Sequence, residues 1–389
     1  MPTFIPFVNS KRDCRALKKQ FADAPIVRVS LQNLEDLKGD LGAAQLWVDP
    51  AMDGFHRPPR HRSPAWVGHI SRFEHYQRFD DPAFLARPDK GVVQAFATQL
   101  LNKTVASHPA WISVPQLPAR DVNVNRVNKL LAEASAKWRT SRGYDGSFIL
   151  PVVLTNQRQY SDKRARDAMT KPAATRMRVS SASGLWVVDG DLSDQEGAGT
   201  LRERLPALIR FHEELLGYTG SGRMVVAGPY WCQNIVLWVR GCATHPAISL
   251  GSSYRYHLPA GRLKSPLTRV ALAPLRRWAR ASRELRTWIG EAMRVLAPGD
   301  PAHGALAQLK HEWSVLTSSA DAGPIQIVSF YRKWLDNLEA TPPALRKLAL
   351  YQMLSSAYVL GKRLPSLPRQ EKSASRPEKV AQQHMLNCL

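Results

Sequence analysis

Short apolar runs recur through the first 250 residues, each closed by a polar or small residue. Most lead into a stretch whose apolar positions return every three or four residues. Eight such runs stand out: Thr3 to Val8, Ile26 to Leu31, Leu46 to Val48, Trp111 to Val114, Phe148 to Leu154, Leu185 to Val188, Met224 to Ala227 and Ala247 to Leu250. Runs this short suit strands. The segments between them carry helical spacing, as in Leu17 and Phe21; Val124, Val127, Leu130, Leu131 and Ala134; and Leu201, Leu205, Leu208 and Leu215, and a further helix is expected on Ile235, Leu237 and Val239. Strand and helix alternating eight times predicts a (β/α)8 TIM-like barrel of the α/β class. Between the third strand and the helix that resumes at Pro82, residues 50 to 82 form an excursion rich in Pro, His, Arg and aromatic residues. A connection of that length inside a compact domain usually serves function.

The barrel is assigned to residues 1–262, with a helical, basic C-terminal extension over 263–363 and a disordered tail over 364–389. Leu275, Trp278, Ala279, Leu285, Trp288 and Ile289 form an apolar stripe on one expected helix. Arg276, Arg277, Arg280, Arg283 and Arg286 occupy the rest of it, as a solvated face or as a face that tracks DNA. Further helices are expected over Ala302 to Thr317, Ile325 to Leu338 and Pro343 to Val359. From about Pro365 the Lys, Arg, Ser, Gln and Pro content favours disorder.

Composition narrows the class. The chain has 389 residues, 44% of them hydrophobic, enough for a large core. Its apolar runs are too short for a membrane span or a secretory leader, so a cytoplasmic protein without a membrane partner is expected. Cys14, Cys232, Cys242 and Cys388 lack any CxxC spacing, which points to buried thiols rather than disulfides or zinc. Neither GxxxxGK[ST] nor GxGxxG occurs, and no cofactor or metal is expected. Fifty-four Lys and Arg against 32 Asp and Glu give a net charge of +22, which favours a polyanion, nucleic acid first. Arg57, Arg60 and Arg62 after the third strand, and Arg158 and Arg164 after the fifth, are candidate phosphate contacts.

Active sites of such barrels lie where strands end. Two of those ends are acidic: Asp49 with Asp53, and Asp189 with Asp191. A carboxylate at a barrel mouth can attack or stabilise a sugar anomeric carbon, or serve as general acid, and two can divide the roles. Asp-Gly at 53–54 and 189–190 is also a turn signal, so one acid of each pair could be purely structural. Phe55, Tyr230, Trp231 and Tyr254 could stack on an extruded base, and Gln116, Asn156 and Gln157 could hydrogen-bond its edge.

The segment Asp49-Pro-Ala-Met-Asp53-Gly54-Phe55 after an apolar strand resembles the Asp-Ser-Gly-Gly-Phe segment of tRNA-guanine transglycosylases and their DNA-acting deazaguanine relatives. That resemblance covers residues 1 to 260. It implies a (β/α)8 barrel that breaks the N-glycosidic bond of a flipped-out base, DNA ahead of RNA, with hydrolysis and base exchange both open and anti-phage defence as one setting. Asp49 or Asp53 would then contact or protonate the base, and Asp189 or Asp191 would meet the anomeric carbon. Two departures stand out: Gly251-Ser252-Ser253-Tyr254 has no acid at the late strand end, and the Cys/His zinc cluster of the tRNA enzymes is absent. Competing expectations are a metal-dependent phosphoesterase or nuclease using His56, His61, His69 and His75, a barrel that binds nucleic acid without chemistry, and a small-molecule enzyme.

Overall fold

The computed structural model describes residues 4–42, 44–56, 59–119, 122–190, 192, 198–220, 222–230, 233–250, 268–319, 321–368 and 385–389. Eight parallel strands form the centre: β1 (Ile5–Val8), β2 (Ile26–Ser30), β3 (Gln45–Asp49), β4 (Trp111–Ser113), β5 (Ser147–Leu154), β6 (Gly184–Asp189), β7 (Met224–Ala227) and β8 (His245–Ser249). They pair in chain order, and β8 returns to β1 with Ser249 opposite Phe7, closing the barrel. The expected (β/α)8 architecture is therefore present, and every expected apolar run overlaps one of these strands.

Around the strands lie α1 (Lys11–Gln20), α2 (Leu31–Leu37), α3 (Pro64–Ile70), α4 (Pro82–Ala86), α5 (Lys90–Val105), α6 (Val122–Arg142), α7 (Lys163–Val179), α8 (Ala198–Thr219) and α9 (Gln233–Val239). Side-chain caps set several starts: Ser10 accepts from the Asp13 amide, Asp89 from that of Val92 and Asp162 from that of Ala165. The excursion after β3 is ordered by Trp66 on α3. Its indole donates to the Ala51 carbonyl at 2.7 Å, and its ring lies where a side chain on Gly54 would have to go. Gly54 is thus needed for close packing.

The interior is filled by large side chains. Phe7 of β1, Trp47 of β3 and Trp186 of β6 meet edge to face, with ring centroids 5.4 to 5.6 Å apart. Their strands are not neighbours in the sheet, so these rings can touch only through the barrel's inside. That fixes the facing of every other residue, because side chains alternate along a strand. Arg28 is in register with both Phe7 and Trp47 and faces inward, as do Ser30 and Asp49 two residues further on. Asp189, three residues after Trp186, faces outward.

The C-terminal region completes the ring as well as extending it. It contains β9 (Arg269–Leu272), β10 (Arg277–Arg280), α10 (Arg283–Val295), α11 (Pro301–His311), α12 (Trp313–Ser318), α13 (Ala322–Glu339) and α14 (Arg346–Arg363). Helix α13 lies beside α1, held by Arg332 to Asp23 at 2.8 Å and Arg15 to Asp321 at 2.7 Å. Trp334, Leu335 and Leu338 of α13 join the barrel core, so this helix takes the place of the eighth barrel helix. A second core is built by β9, β10 and α10 to α12, around Leu285, Trp288, Ile289, Leu306 and Trp313.

One expectation is corrected. The stretch Leu275 to Ile289 is not one helix: Arg276 has φ of +52°, Arg277–Arg280 pairs antiparallel with β9, and α10 starts only after the Ser282 cap. Pro274 and the left-handed Arg276 break the pattern, and Trp278 is buried from a strand rather than from a helix. Of the tail expected to be disordered, residues 369–384 lie outside the described residues, and the parts on either side of them are packed. The Trp288 indole donates to the Pro365 carbonyl at 2.9 Å, and Met385 and Cys388 are buried in the barrel core, where Arg240 donates to the Cys388 carbonyl at 2.7 Å.

Candidate functional site

The mouth of the barrel is the end where the strands finish, and the inward-facing polar residues there come from β1 to β4 and from β8. The Asp49 carboxylate pairs through Oδ2 with Arg28 Nη2, and Arg28 Nη1 donates to Asn9 Oδ1 at 3.1 Å. The guanidinium lies 5.0 Å from the centre of the Phe7 ring and 5.5 Å from that of Trp186. Cation–π contact and the two hydrogen bonds fix its plane, leaving buried Nε without a hydrogen-bond partner. Arg28 and Asp49 are both buried, while Asn9 is exposed, so the three run from the packed interior out to the mouth. Asp49 Oδ1 accepts no hydrogen bond from a described residue. Ser30, Ser249 and Ser113, whose hydroxyl accepts from the Trp47 indole at 2.9 Å, are further inward polar residues.

Asp189 has a different setting. Arg204 of α8 donates from Nε to Oδ2 at 2.8 Å and from Nη2 to Oδ1 at 2.9 Å, and the Tyr160 hydroxyl donates to Oδ2. The Asp189 amide in turn donates to the Tyr230 hydroxyl at 2.6 Å. The Asp189 and Arg204 side chains are 0% and 3% exposed. Burial, with the Asp189 charge beside them, pushes both tyrosine hydroxyls well above the usual phenol range, so they stay protonated. This closed network ties β6 to α8 behind the barrel wall, away from the mouth, and no substrate carbon has access to Asp189 there. Asp191 lies outside the described residues.

The remaining candidates divide in the same way. Asp53 is half-buried in the turn that folds on Trp66. Phe55 is buried between Trp66 and Phe79, and Tyr230 is buried on Asp189, so neither presents a stacking face. Gln116 is buried after β4, donating to the Pro115 and Asn128 carbonyls at 2.6 and 3.1 Å, which holds its own loop. Asn156 is exposed and caps the turn at 157–159, and Gln157 within that turn is half-buried. Arg62 is spent on structure: it ion-pairs with Asp80, donates to the Gly54 carbonyl at 3.1 Å, and packs over Phe55 and Trp66. Arg60, Arg158 and Arg164 are exposed. Arg57, Trp231 and Tyr254 lie outside the described residues.

Among the described residues no group of three or more His, Cys, Asp or Glu side chains is placed to hold a metal ion. His69 is buried against Phe73, and that burial holds its pKa below the usual imidazole value. No described helix is long and apolar enough to cross a membrane. Neither a family model nor a curated protein sequence matches the chain.

Sequence reasoning missed Arg28, Asn9 and Arg204. A signal for Arg28 was present, since an arginine between valines in a short alternating strand must either break the barrel or be paired inside it.

Proposed function

We propose that this barrel processes a base of a nucleic acid, cleaving the N-glycosidic bond at its mouth with Asp49 as the reacting carboxylate. The single observation that carries the reading is the facing of Asp49: of the two candidate acids on described strands, Asp49 and Asp189, it is the one that strand alternation turns into the mouth, with one oxygen held by Arg28. Arg28 and Asn9 are positioning residues in this scheme, fixing the carboxylate plane through the guanidinium. The other oxygen then faces the anomeric carbon, where negative charge stabilises the oxocarbenium-like centre as the C–N bond breaks and the bonding pair leaves with the base. Either water or a second base completes the reaction. Exposed Arg158, Lys163 and Arg164, which follow β5 at the same end, suit contacts to the phosphates flanking the target nucleotide.

The burial of Asp49 and its existing pair with Arg28 favour one competing reading, a barrel that binds strands without chemistry. Free base released on incubation separates the two. Cleavage of the C–N bond liberates the original base whether water or a second base completes the reaction, in amounts that Asp49→Asn abolishes. No free base from any DNA or tRNA substrate with wild-type protein that still binds the strand would leave the binding reading standing.

A further inference from the structure

Helix α10 carries its apolar residues Leu285, Trp288, Ile289 and Ala292 into the second core, which leaves a clearly defined outer face. At 100° per residue, the centre of that face is occupied by Arg283, Thr287, Gly290 and Arg294, with Arg286 on one flank and Glu284 and Glu291 together on the other. All three arginines are exposed, and no ion pair to them occurs among the described residues. The row from Arg283 to Arg294 is about 16 Å long, roughly five base-pair steps of a duplex.

Gly290 is the unusual member. Glycine inside a helix costs about 1 kcal/mol relative to alanine. A side chain there would meet nothing within 4 Å, so packing does not require glycine. It clears the middle of an arginine row, letting a bulky chain lie directly on the helix backbone.

The attachment of the second core to the barrel fits this. Arg332, just past the middle of α13, meets Asp23, in the turn at the floor of the barrel, whereas Asp321 before its start lies about 16 Å toward the mouth. The start of α13 is where β9 attaches: Gln326 Oε1 accepts from the Ala271 amide at 2.8 Å. The second core is therefore joined to the barrel at its mouth end.

We infer that the outer face of α10 is a docking surface for the phosphodiester backbone of a nucleic acid, gripped by Arg283, Arg286 and Arg294 over the open position at Gly290. The inference shares its partner class with the proposed reaction, but its test reads binding and not base release.

Fluorescence anisotropy with a labelled 20-mer, as duplex and as single strand, over a salt series provides that test. The triple variant R283Q/R286Q/R294Q should lower the slope of log K against log[salt] by up to about 2.7 on duplex, about 0.9 per lost contact, and by less on single strand. At 0.1 M salt that corresponds to a loss of up to a few hundred-fold. Gly290→Gln adds bulk without removing charge and improves the helix, so it should weaken binding about tenfold or more while raising thermal stability. Lys38→Gln, which removes an exposed charge in the turn before β3, should bind like wild type, which separates this surface from net charge alone. An unchanged slope in the triple variant with intact circular dichroism, or full binding by Gly290→Gln, would overturn the proposal. So would loss of binding to vesicles of anionic lipid with nucleic-acid binding intact.

Discussion

Replacing Asp189 by asparagine leaves the shape of the side chain and removes its charge, and the structure makes this a stability experiment. Three donors converge on the carboxylate, two from Arg204 and one from Tyr160, in a site where the two charged side chains are 0% and 3% exposed. The amide offers one acceptor instead of two and turns an N–H group toward a donor, leaving the guanidinium buried without its counter-charge. Breaking such a pair from one side costs about 3–5 kcal/mol. Against a total stability of about 5–15 kcal/mol that is a large fraction. Equilibrium urea unfolding of wild type, Asp189→Asn, Arg204→Met and the double variant measures it. The double variant should lose less than the sum of the singles, with a coupling of about 2 kcal/mol or more. Asp189→Asn that remains folded at low temperature should keep base release within a few-fold of wild type. A single-variant loss below about 1 kcal/mol, combined with abolished turnover, would refute the reasoning and restore Asp189 as a reacting group.

Three further outcomes follow from local geometry. His212 is fully buried, and because its Nδ1 faces the Cys242 carbonyl at 3.1 Å it must carry its proton there; burial lowers its pKa to about 4. The unfolded chain therefore takes up a proton near pH 6.5 that the folded one refuses, so stability should fall by about 3 kcal/mol between pH 6.5 and 4 and then level off. Burial raises the pKa of Asp13, which opposes this at the acid end, and His212→Asn should flatten the decline in urea titrations at each pH. Arg62→Ala should destabilise the protein by about 2–4 kcal/mol through loss of the buried pair with Asp80, while leaving the salt slope of nucleic-acid binding unchanged; a shallower slope would return it to the phosphate contacts. Gly54→Ala should cost about 1–3 kcal/mol, because the added methyl meets the Trp66 ring, and a neutral effect on the melting temperature would contradict that packing.

The barrel was legible because each strand is a separate short apolar run, and the periodicity changes from two to three or four where the chain turns into a helix. Its interior was less legible. Asp49 and Asp189 look alike in sequence, each ending an apolar strand, but β6 continues one residue further past its inward tryptophan than β3 does, and this odd offset turns the two carboxylates to opposite faces. Partners such as Arg204 and Tyr160 lie 15 and 29 residues from Asp189, and no local spacing announces them. The arginine-rich stretch after Pro274 misled for a related reason. Apolar positions at 275, 278 and 279 satisfy helical spacing, yet the first belongs to a turn and the others to a strand whose register is set by β9.

Base release itself tests the central claim most directly. Purified wild-type protein and Asp49→Asn, matched for folded fraction by circular dichroism, are incubated with modified and unmodified DNA and with tRNA, and small molecules are analysed by mass spectrometry. The account predicts a free base from at least one substrate with wild type and a fall of at least a hundredfold with Asp49→Asn, while binding of the strand is retained. Undiminished release by Asp49→Asn, or no free base from any substrate with wild type, would contradict it.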